Sequence, residues 1–468
     1  MIKIINKISS VKSTNLVYLV ENEGDIKKLD FLKLDSKIKL KIKEIIKKWE
    51  NNQLDFFLWD KNIENLIVFF FDSKWKKTLI EFLAEKFPKI SNNITLFSNH
   101  ENNIETFLDT CVLSRYKFEN YKTKKEEEKI YIFDDSNNKD KIEYRIETLK
   151  NIIFSRNLWE TPPCDLTPEK FMEQVKKINF KNTKVKVLSP KEIEKKGLNL
   201  IHAVWRGSKY KPYIVILERI VDKTKPTYGL VWKGVTFDTG GIQVKPDSYM
   251  YEMKGDMCGA ATTLSVMKEL DKKDLNINIV ACLCLAENNI SGESYKPSDI
   301  ITAYNGKTVD VIHTDDEWRL VLADGMSYIS KKYNLKHIIT LATLTWGVLV
   351  ALWHRYAGIM GTDKKLISNF LEYSKENFEK YIELPFDNYF IEKTKWDIAD
   401  LKNLTEGIKA SSTMWAAFLS NFTDNNELYT HIDIAGTAIN SYEAYGLMNK
   451  WMTGFWVDSI SKIFLSLK

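Results

Sequence analysis

The chain has 468 residues, a hydrophobic content of 44% and a formal net charge of +5, from 68 basic and 63 acidic side chains. That length is too great for one ordinary core and points to two domains. The small positive excess is not a nucleic-acid footprint, which would call for a clustered basic face, and no apolar run approaches the ~18 residues of a membrane span.

The first 135 residues alternate short apolar runs with charged segments. Leu16–Val20, Leu66–Phe71 and Ile130–Phe133 read as strands, Lys37–Trp49 and Trp75–Phe87 as amphipathic helices. This is an α/β pattern without a catalytic constellation, and His100, between Asn and Glu, reads as a solvated loop residue. Asp134–Asp140 is a polar break. Lys141–Leu158 follows with apolar residues at helical spacing, and Thr167-Pro168-Glu169 is a second helix start, with Thr as cap and Pro at the first position. Tyr213–Leu217, Tyr228–Trp232 and Ile277–Ala286 read as strands and Ala260–Leu270 as a helix. Val309–Ile312, Leu320–Lys331 and His337–Leu344 then read as strand, helix and strand. Buried strands alternating with helices predict a mainly parallel or mixed sheet covered on both faces. Ligands of such folds collect beyond the carboxyl ends of strands, and Lys233–Gly241 and His313–Arg319 each directly follow one.

Cys111, Cys164, Cys258, Cys282 and Cys284 show no zinc-type spacing and read as reduced thiols, with Cys282 and Cys284 on one face of a strand. The first residues show no signal-peptide pattern, so a soluble cytoplasmic protein is expected.

The chemistry concentrates between Lys233 and Arg319. Asp238, Asp256, Asp315 and Glu317 lie on short segments next to strand or helix ends. Carboxylates brought together repel unless cations separate them. Two divalent cations balance four carboxylates, and a pair ~3.5–4 Å apart can clamp a water and a carbonyl together. Asp315 and Glu317 are two apart, so on an extended segment both point the same way and Asp316 points the other. Spacing alone does not make Lys233 a ligand, because an amine coordinates only when neutral. His202, His337, His354 and His431 stand alone and read as hydrogen-bonded core or surface groups.

Four segments carry a resemblance. Lys-Gly-Val-Thr-Phe-Asp-Thr-Gly-Gly-Ile-Gln-Val-Lys-Pro at 233–246 and Met-Lys-Gly-Asp-Met-Cys-Gly-Ala-Ala at 253–261 are the first two. Ala-Glu-Asn-Asn-Ile-Ser-Gly at 286–292 and Thr-Asp-Asp-Glu-Trp-Arg at 314–319 are the others. Together they closely resemble the leucyl aminopeptidase family of metallopeptidases. The likeness runs from about Asn157 to Val457, with independent motifs in the family's order; residues 1–140 fit only in general character.

The resemblance implies a macro-like N-terminal α/β domain (1–140), a connecting helix (141–160) and a C-terminal mixed-sheet α/β metallopeptidase domain (161–468), assembled as a homohexamer. It implies an aminopeptidase that removes the N-terminal residue from peptides, with leucine-like preference, through a water bridged by two divalent metal ions, Zn2+ and/or Mn2+. Lys233, Asp238, Asp256, Asp315 and Glu317 match the family's metal ligands. Lys245 and Arg319 match its catalytic cations, the arginine holding a bicarbonate that acts as base. Met253 matches a residue of the specificity pocket, and Thr343 and Leu344 lie in a segment bordering substrate. Neither membrane nor nucleic acid is an expected partner.

The departures share one direction. Trp205, Trp232, Trp318, Trp346, Trp353, Trp451 and Trp456 stand where the family has glycine. The chain has 19 glycines and 13 tryptophans, together about 7% of its residues, which is the ordinary share of glycine alone. A UGA codon read as glycine in the source and as tryptophan in translation produces this pattern. If the tryptophans are genuine, the alternative is an inactive family homologue acting as an oligomeric scaffold. Two smaller departures are His313 where the family has Asn and Asp316 where it has Ala.

Overall fold

The computed structural model describes residues 2–5, 15–20, 55–60, 63–70, 76–90, 93–98, 101–125, 129–133, 139–343, 346–424, 427–440, 444–448 and 450–467. The helix predicted over Lys37–Trp49, and the residues His100 and Leu344, lie outside them. The chain divides into two compact units, Met1–Lys150 with Tyr442–Asn449, and Asn151–Ser441 with Lys450–Lys468.

The first unit holds a six-stranded sheet of β1 (Ile2–Ile5), β2 (Asn15–Val20), β3 (Asp55–Asp60), β4 (Ile63–Phe70), β5 (Ile94–Ser98) and β6 (Ile130–Phe133), in the order β1-β6-β5-β2-β4-β3. All pairings are parallel except β3 with β4. Leu16, Val17 and Tyr18 are consecutive and all buried, as a strand covered on both faces requires. The helices α1 (Lys76–Lys86) and α2 (Glu101–Ser114) bury Leu83, Phe107 and Leu108. Asp109 of α2 accepts two parallel hydrogen bonds, at 2.6 and 2.7 Å, from Arg145 of α3 (Lys139–Glu160).

The second unit is built on an eight-stranded sheet. Its strands are β7 (Lys184–Leu188), β8 (Tyr213–Arg219), β9 (Thr227–Asp238), β10 (Asn278–Asn288), β11 (His337–Ala342), β12 (Ala357–Gly361), β13 (Tyr381–Glu383) and β14 (Leu428–Asp433). The order is β13-β12-β14-β11-β9-β10-β8-β7. Central β9 runs parallel to β10 and β11, while β10 with β8, β8 with β7 and β12 with β14 are antiparallel, so the sheet is mixed. Every residue of β10 is buried, which explains its unbroken apolar run.

Helix α4 (Cys258–Leu270) lies against β9 at close range. A Cβ on Gly259 would stand 2.9 Å from the carbonyl oxygen of Leu341 and 3.1 Å from that of Lys233, so this approach requires glycine. Helix α5 (Glu317–Lys332) packs Leu322 and Met326 into one cluster with Val231, Cys282 and Cys284. The segment predicted as the strand Val309–Ile312 pairs elsewhere. Thr308–Asp310 belongs to a separate three-stranded sheet with Ile300–Thr302 and Leu401–Lys402.

Two buried carboxyls tie helix starts to the core. Asp324 of α5 accepts N–H groups from Leu200 (2.7 Å), Ile201 (3.2 Å) and Tyr304 (2.9 Å). The first two belong to the opening turn of the helix Asn199–Trp205, whose end donors have no partner within the helix. Glu379 accepts the N–H groups of Trp456 and Ser459. Burial pushes Asp324 up to about 7 against those donors, and burial with the Asp458 charge pushes Glu379 up to about 7. Both folded values exceed those of the unfolded chain. The stability these groups contribute is therefore full below about pH 4 and is lost as pH rises towards 7. Denaturant midpoints should fall between about pH 4 and pH 7 for this reason. Asp324→Asn should flatten part of that slope and cost ~1–3 kcal/mol, because an amide nitrogen would then face N–H donors.

Candidate metal centre

Three segments meet around Lys233. On a regular strand Lys233 and Asp238, five apart, would face opposite sides. The pairing of β9 with β10 shifts between Ala286 and Asn288, so that Val235 stands opposite Ala286 and Asp238 opposite Asn288. The extra residue in β9 turns Asp238 to the side of Lys233, the re-aiming that bulges perform next to active sites. The strand thus continues past Trp232 to Asp238, and both residues lie on it rather than in the loop beyond. Gly240, at φ +87°, then reverses the chain and donates its N–H to Asp238 Oδ1 at 2.9 Å.

Asp256 ends the 3-10 turn Tyr251–Gly255, just before α4. Asp315 and Glu317 are not on an extended segment as the sequence reading has them. Thr314–Asp316 is a 3-10 turn, and Glu317 is the first residue of α5. The turn is capped by His313 Nδ1, which accepts the Asp315 N–H at 3.2 Å. It is also clamped to Gln243, which receives the Thr314 N–H on its side chain (2.7 Å) and donates its own N–H to the Thr314 hydroxyl (3.0 Å). Helical spacing changes the place of Asp316. It shares a face with Arg319, three residues on, and is buried in an ion pair with it.

Asp315 and Glu317 nevertheless converge. One oxygen of each, with one of Asp238, lies within 4.8 Å of the others. Lys233 Nζ is 2.5 Å from Asp256 Oδ2 and 3.1 Å from Glu317 Oε1. Lys245 Nζ is 2.8 Å from Asp238 Oδ2 and also touches Asp315 Oδ1. The four carboxylates and both lysines form one cluster. It is closed at Glu317 (0% exposed) and Lys233 (3%) and opens at Lys245 (13%) and Asp315 (29%), which gives a ligand its direction of approach.

The cluster is poor in hydrogen bonds. Asp256 Oδ2, Asp315 Oδ1 and both Oε atoms of Glu317 are buried without an aligned donor, although three of the four face a lysine ammonium. Buried acceptors without donors are rare, and oxygen-rich sets of this kind suit hard or borderline divalent cations. The residues present therefore fit a metal pair. Burial pushes the Asp256 and Glu317 carboxyls up, and burial with the Asp238 charge takes Asp315 to about 6. Burial also pulls the Lys233 ammonium down, but Asp256, Glu317 and Asp238 outweigh it and keep the group charged. A dication among the carboxylates would reverse that balance and favour the neutral amine.

Asn288 and Tyr295 were not singled out by the sequence reading. Asn288 donates to Asp238 Oδ1 at 2.8 Å and to the Thr314 carbonyl at 3.2 Å, and the Tyr295 hydroxyl donates to the same carbonyl at 2.6 Å. The signal for Asn288 was its place among polar residues at the end of the apolar run of β10. Met253 lies half-buried on the 3-10 turn, its carbonyl accepting the Asp256 N–H. The Thr343 hydroxyl donates to Asp256 Oδ1 at 3.0 Å, so that residue is tied directly to the cluster.

The family model for the catalytic domain of the cytosol aminopeptidase family matches residues 153–461. The probable cytosol aminopeptidase of Brucella ovis is 35% identical over 364 residues, 75% of this chain and 72% of its own length. The chain belongs to the cytosol aminopeptidase family. Its likeness to the probable cytosol aminopeptidase of Wigglesworthia glossinidia brevipalpis, at 32% identity, spans 94% of this chain and 89% of the relative. Among solved structures, the bottromycin maturation enzyme BotP in complex with Mn shares the fold. Its TM-score is 0.82 at 22% identity, with 97% of this chain and 99% of that one covered.

Of the seven tryptophans at positions where the resemblance implies glycine, five have described side chains, and four of those five fit poorly. Trp353 and Trp456 adopt φ of +55° and +79°, the left-handed region that glycine occupies freely. Trp205, Trp232 and Trp456 bury an indole N–H without an acceptor. Trp318 is the fifth. Its ring turns into the core against Trp415, at a centroid distance of 4.9 Å, and not into the carboxylate cluster.

Proposed function

We propose that this family member is a two-metal aminopeptidase in which Lys233, Asp238, Asp256, Asp315 and Glu317 hold two divalent cations. The observation that carries this reading is the set of buried carboxylate oxygens without aligned donors, gathered around two lysine amines. The cations would supply a Lewis acid for the scissile carbonyl and a water acidic enough to react near neutral pH. The Lys245 ammonium, steadied by Asp238 and Asp315 at the open end, is aimed to donate to the carbonyl oxygen as charge develops on it. Thr343 fixes Asp256, and Asn288 fixes Asp238.

Zn2+ and Mn2+ are the proposed metals; the manganese in the BotP structure supports the second. Met253 would line a pocket preferring leucine-like residues, a preference worth only ~1–3 kcal/mol per methylene, with Thr343 and Leu344 in the segment bordering substrate. The division into an N-terminal domain (1–140), a connecting helix (141–160) and a catalytic domain (161–468) is retained as the functional organisation. A homohexamer and a cytoplasmic site of peptide turnover complete the proposal; the relatives' designation as cytosol aminopeptidases supports the latter. No described helix is long and apolar enough to cross a membrane.

The test is release of p-nitroaniline from leucine p-nitroanilide by metal-free protein reloaded with Mn2+ or Zn2+. Activity should appear on loading, vanish with a chelator and be absent on the N-acetylated substrate. A loaded protein that binds metal and releases nothing would support the scaffold reading instead.

A further inference from the structure

Family resemblance assigns Arg319 an exogenous bicarbonate, and the residues around this arginine do not fit one. Arg319 is 1% exposed, and its Nη2 is ion-paired with Asp316 Oδ1. Its guanidinium carbon stands 4.5 Å from the ring centre of Trp415, so an aromatic face walls it as well. Nε is buried without an acceptor, and Nη1 makes no hydrogen bond to the described residues. A bicarbonate approaching the guanidinium would therefore meet a carboxylate of its own sign already paired with Nη2.

We propose that Asp316 is the resident anion of Arg319. The chain supplies from its own side chain the carboxylate that the arginine would otherwise recruit from solution, and its activity does not require bicarbonate. The geometry has a simple origin. Asp316 and Arg319 are three apart where the 3-10 turn enters α5, so their side chains meet on one face. A charge-assisted pair formed within one helical turn orders few side chains and needs no second molecule, and a free anion at ordinary concentration competes poorly with it. Asp316 is on this account a positioning residue that holds a negative charge beside Arg319. The proposal rests on the aminopeptidase reading only for its kinetic consequence; the pairing itself is tested by binding.

The experiment has two arms. In the first, binding of 13C-bicarbonate to the metal-loaded full chain is followed by NMR for the native protein, Asp316→Ala and Asp316→Asn. The native protein should bind at least ~10-fold more weakly than either variant, the ratio expected when one charge-assisted contact is freed. In the second, the rate on leucine p-nitroanilide is measured in buffer stripped of carbon dioxide, with and without added bicarbonate. The native rate should not change, and that of Asp316→Ala should be low and rise on addition. Native protein that binds bicarbonate as tightly as the variants overturns the proposal, whether or not any chain is active. So does a native rate that collapses without bicarbonate and returns with it. Absence of activity in every sample, with the binding difference intact, overturns the aminopeptidase reading and leaves the pairing in place.

Discussion

Glu317→Gln should lower kcat for release of an N-terminal residue by ~10²–10³-fold or more, the loss expected when a charged group facing the reacting centre is neutralised. The same change should raise the melting temperature of the metal-free protein. Glu317 is wholly buried, its two oxygens have no aligned donors, and burial followed by the Asp238 charge pushes its carboxyl far up. A neutral amide removes that repulsion. The two effects separate function from fold, because a residue needed only for folding would move both downwards. They also predict a metal signature. A ligand that binds only the folded state stabilises it by about RT ln(1 + [L]/Kd), so the native protein should melt higher with Mn2+ and the variant should gain much less. Melting curves with and without metal, read beside kcat, check it. A variant with native kcat would remove Glu317 from the centre.

Trp456→Gly should leave stability unchanged or raise it. Ordinary packing predicts the reverse, since emptying a fully buried indole leaves a cavity worth ~3–5 kcal/mol. Trp456 is nonetheless held at φ +79° as the residue preceding the helix Val457–Ser466, and its indole N–H has no acceptor. A non-glycine residue in that conformation costs ~1–2 kcal/mol, and a buried donor without a partner a further ~1–3 kcal/mol. Those terms match the cavity term if the surroundings were selected around glycine and close over the space. Peptide mass spectrometry of the protein from its own source should then show glycine at 353 and 456, where the backbone is left-handed, and at 205 and 232, where indoles lie buried without acceptors. Indole-containing peptides at these positions, with a loss of several kcal/mol in the variant, would establish the tryptophans as native.

The alternation of apolar runs and helical spacing made the α/β class legible, and strands such as Tyr213–Arg219 and Asn278–Asn288 fall where the pattern puts them. Their burial shows in composition because both faces of such strands are apolar. Where β9 ends was less legible. Lys233, Thr236 and Asp238 break the apolar pattern, yet the strand continues through them, since Thr236 donates to the Ala286 carbonyl, Asp238 accepts from Asn288 and Lys233 pairs with Asp256 and Glu317. The same partners were invisible to spacing. Lys233 became credible as a ligand only through the surrounding motifs, and the structure shows it between Asp256 and Glu317.

By itself, then, the sequence determined the family, the α/β class and the inventory of carboxylates and lysines, because those depend on residue type and order. Tertiary structure decided how they converge. A one-residue bulge turns Asp238 towards Lys233, and a capped 3-10 turn, where an extended segment was expected, gathers Asp315 and Glu317 and delivers Asp316 to Arg319. Register and turn type depend on hydrogen bonds between distant segments, from β10 to β9 and from Gln243 to Thr314, and no local pattern records those pairings.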